Sequence, residues 1–276
     1  MRFGLGITLY HPDADALSYL NELGQLFQQV YIFDNSPSNN DYLHVIKPEF
    51  HYDFTGQNRG LSVAFNSFLK AAADDGIDYL LLLDQDSLYK STVLQDLMND
   101  ISKEEIRTDV AIHACTAMAA HLADSVECVD IVEEAKEVIS SGSFINIHAV
   151  KQHDLSYDER LFVDYVDWDF CKMARKKGLK VLCHRKYVVP QSYGYFCKNR
   201  ICHSAVRHYY MARDLGYYND KYYSKAQTAY KSFRGYIKEI LCEALREDDS
   251  WKKVVYATRG YWDYLRGVTG EYKRKT

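Results

Sequence analysis

Leu80-Leu81-Leu82-Leu83-Asp84-Gln85-Asp86-Ser87 combines the two features from which the predicted fold follows. An apolar run ends there in two carboxylates, and side chains two residues apart lie on the same face of an extended chain. A buried strand of this kind delivers both carboxylates to its C-terminal end, where open α/β sheets bind ligands. The pattern indicates a divalent-cation site. Asp-x-Asp-Ser after a strand is also ordinary turn and helix N-cap chemistry, so both interpretations stand at this point.

Length, charge and cysteine usage describe a globular chain. Its 276 residues can bury a substantial core, as one large domain or as a domain with an appendage. A net charge of -4 and a pI near 6.2 argue against a nucleic-acid binder held by phosphate contacts. Seven cysteines without a CxxC pair indicate scattered reduced thiols. No apolar segment approaches the roughly 18 residues that cross a bilayer, so we expect a cytoplasmic protein with no nucleic-acid partner.

Apolar runs and helical periodicity alternate through the first third of the chain. Strands are predicted over residues 2–10, 30–33, 50–54 and 78–83, with helices over 13–28 and 61–73. This alternation predicts a mostly parallel sheet, in which the loops after the strands open at one edge. Polar side chains at that edge form a crevice of the kind that binds a nucleotide: Thr8, Tyr10, Asp34, Asn58, Asp84 and Asp86. Neither GxGxxG nor GxxxxGKS occurs in the chain.

A second acidic constellation covers residues 158–169, where four Asp and one Glu alternate with aromatic residues. It leads into a helix predicted over 170–177, which Gly178 ends. In one interpretation Asp167 and Asp169 stabilise the helix N-terminus through its dipole. In the other, one of them is a general base. Both can hold at once when different carboxylates take the two roles.

The C-terminal part of the chain is basic and rich in tyrosine. From residue 221 onward it holds 13 Lys and Arg against 7 Asp and Glu, and residues 187–276 hold 15 of the 24 tyrosines. Helical spacing is predicted over 203–215, 225–245 and 251–266. Most of these rings are expected to pack in the core or against each other. The pattern fits a surface that sits on anionic lipid, and it also fits a solvated, Lys-rich helix face.

Taken together, these features resemble the family 2 glycosyltransferases with a GT-A fold, most closely their bacterial rhamnosyltransferase-like branch. The resemblance covers residues 3–215. Its motifs, in the family's order, are Thr8-Leu9-Tyr10-His11-Pro12, Asp34-Asn35-Ser36, Asn58-Arg59-Gly60 with Ala64-x-Asn66, Leu83-Asp84-Gln85-Asp86-Ser87, Ser141-Gly142-Ser143, Phe162-Val163-Asp164-Tyr165-Val166-Asp167-Trp168-Asp169-Phe170 and His203-x3-Arg207-His208-Tyr209-Tyr210-x2-Arg213.

The resemblance implies an α/β fold with a mostly parallel central sheet flanked by helices. Residues 1–200 would form the GT-A nucleotide-sugar-binding and catalytic domain, and residues 201–276 a helical extension on the acceptor or membrane side. The implied donor contacts are Thr8, Tyr10, Asp34, Asn58, Asn66, Asp84 and Ser143.

By the same resemblance, Asp86 holds Mg2+ or Mn2+ against the donor diphosphate, with His203 as a further candidate ligand. Asp167 aligns with the catalytic base, and Asp169 and then Asp164 are the alternatives. Asp164, Trp168 and Arg207 would lie on the acceptor side. Two departures weaken parts of the match. Gln191-Ser192-Tyr193-Gly194 lacks the His that the family often has before a Leu-Gly pair, and Asp214 stands where Asn is common in the branch.

The expected activity is inverting, metal-dependent transfer of rhamnose or another hexose from a dTDP- or UDP-sugar to a growing cell-surface polysaccharide or lipid-linked glycan. The C-terminal region would then contact the inner face of the plasma membrane peripherally. Two alternatives stay open. A sugar-phosphate nucleotidyltransferase would want a Gly-rich phosphate loop after the first strand, whereas Gly4-Leu5-Gly6 lies inside that strand. A non-catalytic nucleotide-sugar-binding protein would keep the fold without turnover.

Overall fold

The structure is a computed structural model that describes residues 1–38, 42–87, 89–119, 129–191, 194–197 and 200–273. The chain forms two compact units. The first unit contains Met1–Asn58, Val63–Tyr157 and Phe170–Ser192. The second contains Arg59–Ser62, Asp158–Asp169 and Tyr193–Thr276. The division predicted at residue 200 stays a prediction. The end of the polar loop predicted through Asn40, and the Ser192-Tyr193 pair, lie outside the described residues.

A mixed sheet forms the centre of the first unit. Its strands are β1 (Phe3–Leu9), β2 (Gln29–Asp34), β3 (His51–Phe54), β4 (Tyr79–Asp84), β5 (Val110–Ala119), β6 (Val132–Glu134), β7 (Ser143–Asn146) and β8 (Lys180–Gln191). Their order is β3-β2-β1-β4-β7-β5-β8-β6. The first four strands in this order are parallel, β5 and β8 are parallel, and β7 runs antiparallel between β4 and β5. The parallel prediction is therefore confirmed for the half of the sheet that carries Asp84.

Helices follow the strands as the apolar periodicity predicts. They are α1 (Ala14–Leu23), α2 (Leu61–Asp74), α3 (Ser91–Ser102), α4 (Ile147–His153) and α5 (Val166–Lys176), with short 3-10 turns at Gly24–Leu26 and Leu43–Val45. The Asp13 carboxylate accepts the Ala16 N–H at 2.8 Å and so caps α1. The continuous apolar runs of β1 and β4 are buried because strands in the middle of a parallel sheet are covered on both faces.

Three elements differ from the sequence prediction for physical reasons. The apolar pattern predicts two short strands, over residues 179–183 and 187–189, whereas the structure has the single strand β8 with a bulge between these segments. Its pairing with β5 jumps from His184 to Val188 between consecutive β5 residues. β6 has only three residues, none of them buried, and carries no apolar signal. α5 begins at Val166 rather than at residue 170, which brings Asp167 and Asp169 into its first turn.

The second unit is mainly helical. It contains the hairpin strands β9 (Tyr195–Cys197) and β10 (Arg200–Cys202), then α6 (Ala205–Tyr222), α7 (Lys225–Lys238), a π-helix (Glu239–Ala244) and α8 (Ser250–Leu265). Gly260 lies against the α6 backbone, where a Cβ would stand 2.0 Å from the carbonyl oxygen of Tyr209. Only glycine permits this approach of α6 and α8.

Aromatic packing in this unit confirms the expectation for several of its tyrosines. Phe162 stacks on Tyr210 at 4.7 Å between ring centroids, and Tyr209 contacts Tyr272 at 4.7 Å. Cys202 is disulfide-bonded, so the expectation of reduced thiols throughout is wrong at this residue. In the part of the chain that the structure describes, no helix combines the length and the apolar character needed to cross a membrane.

Candidate active site

The carboxyl ends of three neighbouring strands bring three of the predicted donor-side residues together in the first unit, namely Thr8, Asp34 and Asp84. In the sheet register Thr8 of β1 pairs with Asp84 of β4, and Leu9 pairs with Asp34 of β2. Thr8 is buried, and its hydroxyl oxygen has no hydrogen-bond partner among the described residues. A buried hydroxyl without a partner is costly. The sheet edge therefore offers a polar group that a ligand could satisfy.

Gln85 lies in the turn after β4, between Asp84 and Asp86, and ties this turn to the loop after β1. The Tyr10 N–H donates to Gln85 Oε1 at 2.7 Å, and Gln85 Nε2 donates to the Tyr10 carbonyl oxygen at 3.0 Å. Asp84 is half-buried, while Asp86 and the Tyr10 ring are exposed. The side-chain amide thus acts like a strand partner and fixes the backbone between the carboxylates.

Ser141 supports the same motif from the chain segment before β7. Its hydroxyl donates to Ser87 Oγ at 2.7 Å and accepts the Asp84 N–H at 3.2 Å. Gly142 has a φ of +85° and lies against Tyr89, where a Cβ would meet the ring hydroxyl at 2.2 Å. By composition, Ser141-Gly142-Ser143 suits either a close approach of the backbone to a ligand or a bend in a strand. In this structure its close approach is to Tyr89.

Asp34 is fully buried and engages three donors of its own unit. Its Oδ2 accepts the hydroxyls of Tyr42 and Tyr52, both at 2.5 Å, and its Oδ1 accepts the Ser36 N–H at 2.8 Å. Burial and the hydrogen bond to Asp34 raise the pKa of Tyr42, so this phenol stays protonated as a donor. The carboxylate therefore holds two tyrosines at the end of β2. Its predicted contact with the nucleotide stays a prediction.

Asn66 and Ser143 also make contacts within the first unit. The Asn66 amide donates to the Tyr157 carbonyl oxygen at 3.0 Å and accepts the Tyr157 N–H at 2.8 Å. The buried Ser143 hydroxyl donates to the Ile139 carbonyl oxygen at 2.5 Å. Asn58 is half-buried. Donor contacts of these three residues stay predictions. The side chains of Asn66 and Ser143 already form hydrogen bonds to the backbone of their own unit.

Asp169 is an anchor of the second unit. Its buried carboxylate accepts Lys221 Nζ at 2.6 Å and the Tyr222 hydroxyl at 2.7 Å. Burial and the hydrogen bond to Asp169 raise the pKa of Tyr222. Both partners stand at the C-terminal end of α6, so the ion pair fixes the start of α5 to the end of α6.

Asp164 is a carboxyl with an unusual environment in the same unit. Its Oδ1 accepts Arg207 Nε at 3.0 Å and Nη2 at 2.8 Å, while its buried Oδ2 has no hydrogen-bond partner among the described residues. Burial raises the pKa of Asp164 to about 7, against the opposing effect of Arg207, and the Asp214 carboxylate raises it further. A carboxyl that titrates near neutral pH can exchange a proton under working conditions.

Asp167 lies half-buried in the first turn of α5, directly after a constrained backbone position. Tyr165 has a φ of +63°, which is rare for an aromatic residue. Its ring stacks on Tyr218 at 5.4 Å and meets the exposed Trp168 edge-on at 5.4 Å. Such conformations persist where the surroundings enforce them, and they are common at functional sites.

Asp214 fixes the backbone that leads into this turn. Its Oδ2 accepts the N–H groups of residues 162–164 at 2.9, 3.2 and 3.3 Å, and its Oδ1 accepts Arg213 Nε at 2.9 Å. Both side chains of the ion pair are fully buried. The acidic constellation is therefore held at Asp164 by Arg207, at Asp169 by Lys221 and through its backbone by Asp214.

His203, the other candidate metal ligand, belongs to the second unit, whereas Asp86 belongs to the first. Its backbone N–H donates to Glu247 Oε2 at 2.8 Å. Burial lowers the pKa of the half-buried ring, which favours the neutral form that can bind a metal. Its role as a ligand stays a prediction.

Comparison with known proteins adds the decisive observation. A model of the family described as "Glycosyl transferase family 2" matches residues 18–119, which include β4 and the two carboxylates at its end. The chain is a glycosyltransferase that is similar to family 2 over these residues. A dTDP-rhamnosyl transferase, RfbF, from Shigella flexneri is 24% identical over an alignment of 230 residues that covers 75% of this glycosyltransferase and 76% of the relative. The resemblance to the rhamnosyltransferase-like branch is thereby confirmed.

Solved structures confirm the fold of the glycosyltransferase. GalNAc-T7 with UDP, GalNAc and Mn2+ superposes with a TM-score of 0.60 at 10% identity, over 97% of this chain and 56% of that chain. The mannosyltransferase PcManGT from Pyrobaculum calidifontis, in complex with GDP-Man and Mn2+, gives 0.55 at 11% identity, over 97% and 76%. Residues 1–349 of TarS from S. aureus give 0.53 at 13%, over 99% and 93%. The GT-A prediction is therefore correct.

Sequence reasoning missed three residues that shape the site of this glycosyltransferase. Gln85 has no role in the sequence-based prediction, because its partner Tyr10 is 75 residues away. Lys221 carried no local signal, because its partner is 52 residues away. Asp214 was flagged only as a departure from Asn, and that departure was the available clue.

Proposed function

We propose that the chain is an inverting transferase that moves a rhamnosyl or another hexosyl group from a dTDP- or UDP-activated donor to a growing cell-surface polysaccharide or lipid-linked glycan. The observation that carries the proposal is the group formed by Thr8, Asp84 and Asp86 at the carboxyl end of parallel strands. The similarity to a dTDP-rhamnosyl transferase supports rhamnose and dTDP as the first choices. The family match favours sugar transfer over nucleotidyl transfer.

On the donor side, the Thr8 hydroxyl would contact the nucleotide, since its oxygen lacks a partner among the described residues. Tyr10 offers an exposed ring next to it, on a loop that Gln85 keeps in register with β4. Asp84 would face the ribose. Further donor contacts are assigned to Asp34, Asn58, Asn66 and Ser143.

A divalent cation fits the chemistry of the two β4 carboxylates. Asp86 is exposed and Asp84 half-buried. Within the described residues no third His, Cys, Asp or Glu joins these two in a ligand cluster. Mg2+ typically takes one or two protein carboxylates and fills its other positions with phosphate oxygens and water. We assign the cation, Mn2+ or Mg2+, to Asp86. Bound there, it would stabilise the negative charge that develops on the departing nucleoside diphosphate.

On the acceptor side, we assign proton transfer to Asp167. The acceptor hydroxyl gives its proton to the carboxylate, its oxygen bonds to the anomeric carbon, and the bond from that carbon to the diphosphate breaks with inversion. Asp169 is suited to positioning instead, because its carboxylate is buried in an ion pair with Lys221. Asp164 is the second candidate base, with a pKa raised by burial to about 7. Trp168 and Arg207 would contact the acceptor.

The proposal is tested by incubating the purified chain with dTDP-, UDP- and GDP-sugars and Mn2+, with and without lipid-linked acceptors. We expect release of nucleoside diphosphate from one donor class, and its loss in Asp167→Asn but not in Asp96→Asn, which changes an exposed aspartate of α3. Pyrophosphate release would identify a nucleotidyltransferase instead. Thermal stabilisation by a nucleoside diphosphate, with no turnover on any acceptor, would identify a binding protein.

A further inference from the structure

The helix α7 exposes its large apolar side chains and buries small polar ones. Thr228 and Ser232 face the protein, with 3% and 1% of their surface exposed. On another side, apolar residues recur every three or four positions and continue into the π-helix. Their exposed fractions are Tyr230 67%, Phe233 52%, Ile237 36%, Leu241 56% and Leu245 50%. We call these five residues the outer stripe. A surface helix of a water-soluble domain normally has the opposite orientation.

Contacts on the inner side explain this orientation. Asn219 of α6 donates to Ser232 Oγ at 3.1 Å, and the Thr228 hydroxyl donates to the Asn219 carbonyl oxygen at 3.3 Å. Gly235 approaches Leu215 so closely that a Cβ would stand 2.2 Å from its Cδ2. The side of α7 that meets α6 therefore has room only for small residues. The large apolar residues of α7 therefore lie on the other side of the helix, where they form the outer stripe.

The charged residues of α7 indicate which kind of surface the outer stripe binds. α7 carries Lys225, Lys231, Arg234 and Lys238, all exposed, and no acidic residue. The π-helix that continues the outer stripe adds Glu239 and Glu243, and Glu239 is paired with the buried His208. The whole chain, in contrast, has a net charge of -4. Exposed apolar and aromatic residues flanked by cations are the features of helices that lie in the interface of anionic membranes. α7 has 14 residues, and no described helix qualifies as a membrane span, so the expected orientation is parallel to the membrane surface.

A second copy of the chain fits the outer stripe less well. A two-fold interface places the same patch on both subunits. The four cations of one α7 would then face the four cations of the other, with no carboxylate of α7 to compensate them. Like-charge juxtaposition opposes such a contact. An anionic lipid surface satisfies both the apolar residues and the cations.

We propose that the outer stripe of α7 binds the surface of anionic membranes as a peripheral, interfacial contact. This proposal rests on the proposed function in one respect: a lipid-linked acceptor explains why the enzyme would need to be at a membrane. The apolar side chains enter the headgroup region, and the lysines and arginine meet lipid phosphates.

Flotation of the full-length chain with vesicles tests the proposal. We expect binding to phosphatidylcholine vesicles that contain phosphatidylglycerol, weak binding to phosphatidylcholine alone, and loss of binding at high salt. Neutralising two cations in Lys231→Gln/Arg234→Gln should lower the partition coefficient about thirty-fold, from the energy typical of a basic residue near an anionic surface. Phe233→Ser/Ile237→Ser should lower it at least as much.

The matched control is Ile131→Ser/Val132→Ser, which removes two apolar side chains that are 50% and 51% exposed in the first unit. Its binding should equal that of the wild type. Equal binding by all variants, or absence of wild-type binding to either vesicle, would overturn the proposal. So would a dimer in light scattering that Phe233→Ser/Ile237→Ser dissociates, because the outer stripe would then be a subunit interface. Nucleoside diphosphate release without vesicles should be unchanged in these variants, which separates failure of the membrane contact from failure of the proposed function.

Discussion

Replacing Asp214 by alanine should strongly destabilise the second unit. The carboxylate accepts three backbone N–H groups of residues 162–164 and pairs with Arg213, and it is fully buried. Its removal leaves the guanidinium of Arg213 without its carboxylate. That guanidinium keeps a bond to the Gly270 carbonyl oxygen at 2.6 Å and lies 4.9 Å from the Tyr210 ring centroid. These neutral contacts stabilise the cation only in part.

The magnitude follows from the buried pair. Removing one partner of a buried ion pair costs about 3–5 kcal/mol, because the remaining charge is uncompensated. We therefore expect Asp214→Ala to lower the free energy of unfolding by about 4 kcal/mol. Asp214→Asn keeps one oxygen for the backbone N–H groups and loses the charge beside Arg213, so about 2 kcal/mol is expected, the value of one hydrogen bond to a charged group.

Urea unfolding, followed by fluorescence and circular dichroism, measures these differences. Asp96→Ala changes an exposed residue and serves as the control; its free energy of unfolding should lie within about 0.5 kcal/mol of the wild type. Asp214→Asn should also lower kcat more than it raises KM, since the backbone it holds leads to Asp167. A loss below about 1 kcal/mol in Asp214→Ala, or equal losses in the two variants, would refute the account of this carboxylate.

Three further predictions concern other contacts. Gln85→Ala removes two hydrogen bonds to Tyr10. It should lower the free energy of unfolding in urea by about 1–3 kcal/mol. Unchanged stability together with unchanged nucleoside diphosphate release would contradict this role of Gln85. The folded-state pKa of Asp164, about 7, lies above its ordinary value of 3.8, so the stability that the protonated carboxyl contributes is lost as the pH rises from about 4 to about 7. Asp164→Asn should gain up to about 3 kcal/mol relative to the wild type between pH 5 and pH 8, and a pH-independent difference would exclude this titration. Lys221→Ala removes the cation that pairs with Asp169 and should lower the free energy of unfolding by about 1–3 kcal/mol. The exposed control Lys225→Ala should lower it by less than about 0.5 kcal/mol. Equal losses in the two variants would show that the ion pair does not stabilise the second unit.

The sequence was sufficient for the donor half of the sheet. β1 and β4 are continuous apolar runs that end in polar residues, and the buried strands begin and end within one or two residues of the prediction. Register then follows from the parallel topology, which is why Thr8 and Asp84 were expected at one edge. Local pattern and tertiary structure agree in this part of the chain.

The roles of single polar residues were harder to predict. Asn66 binds the backbone of Tyr157, 91 residues away, and Asp169 binds Lys221, 52 residues away. Neither partner produces a periodic signal near the residue it binds. The short β6 has no buried residue to reveal it. A motif therefore predicts where carboxylates gather, whereas their separate tasks depend on partners that only the folded chain brings into contact.

Asp86 is assigned to hold the cation at the donor diphosphate. The rate of Mn2+-dependent nucleoside diphosphate release tests this assignment. The comparison is between the wild type, Asp86→Asn and the exposed control Asp96→Asn, at saturating donor and over a range of Mn2+ concentrations. Loss of one carboxylate ligand should lower the release rate by about 100-fold or more, in line with several kcal/mol of charge stabilisation by the ion, while Asp96→Asn keeps the wild-type rate. A wild-type rate and Mn2+ dependence in Asp86→Asn would contradict the account.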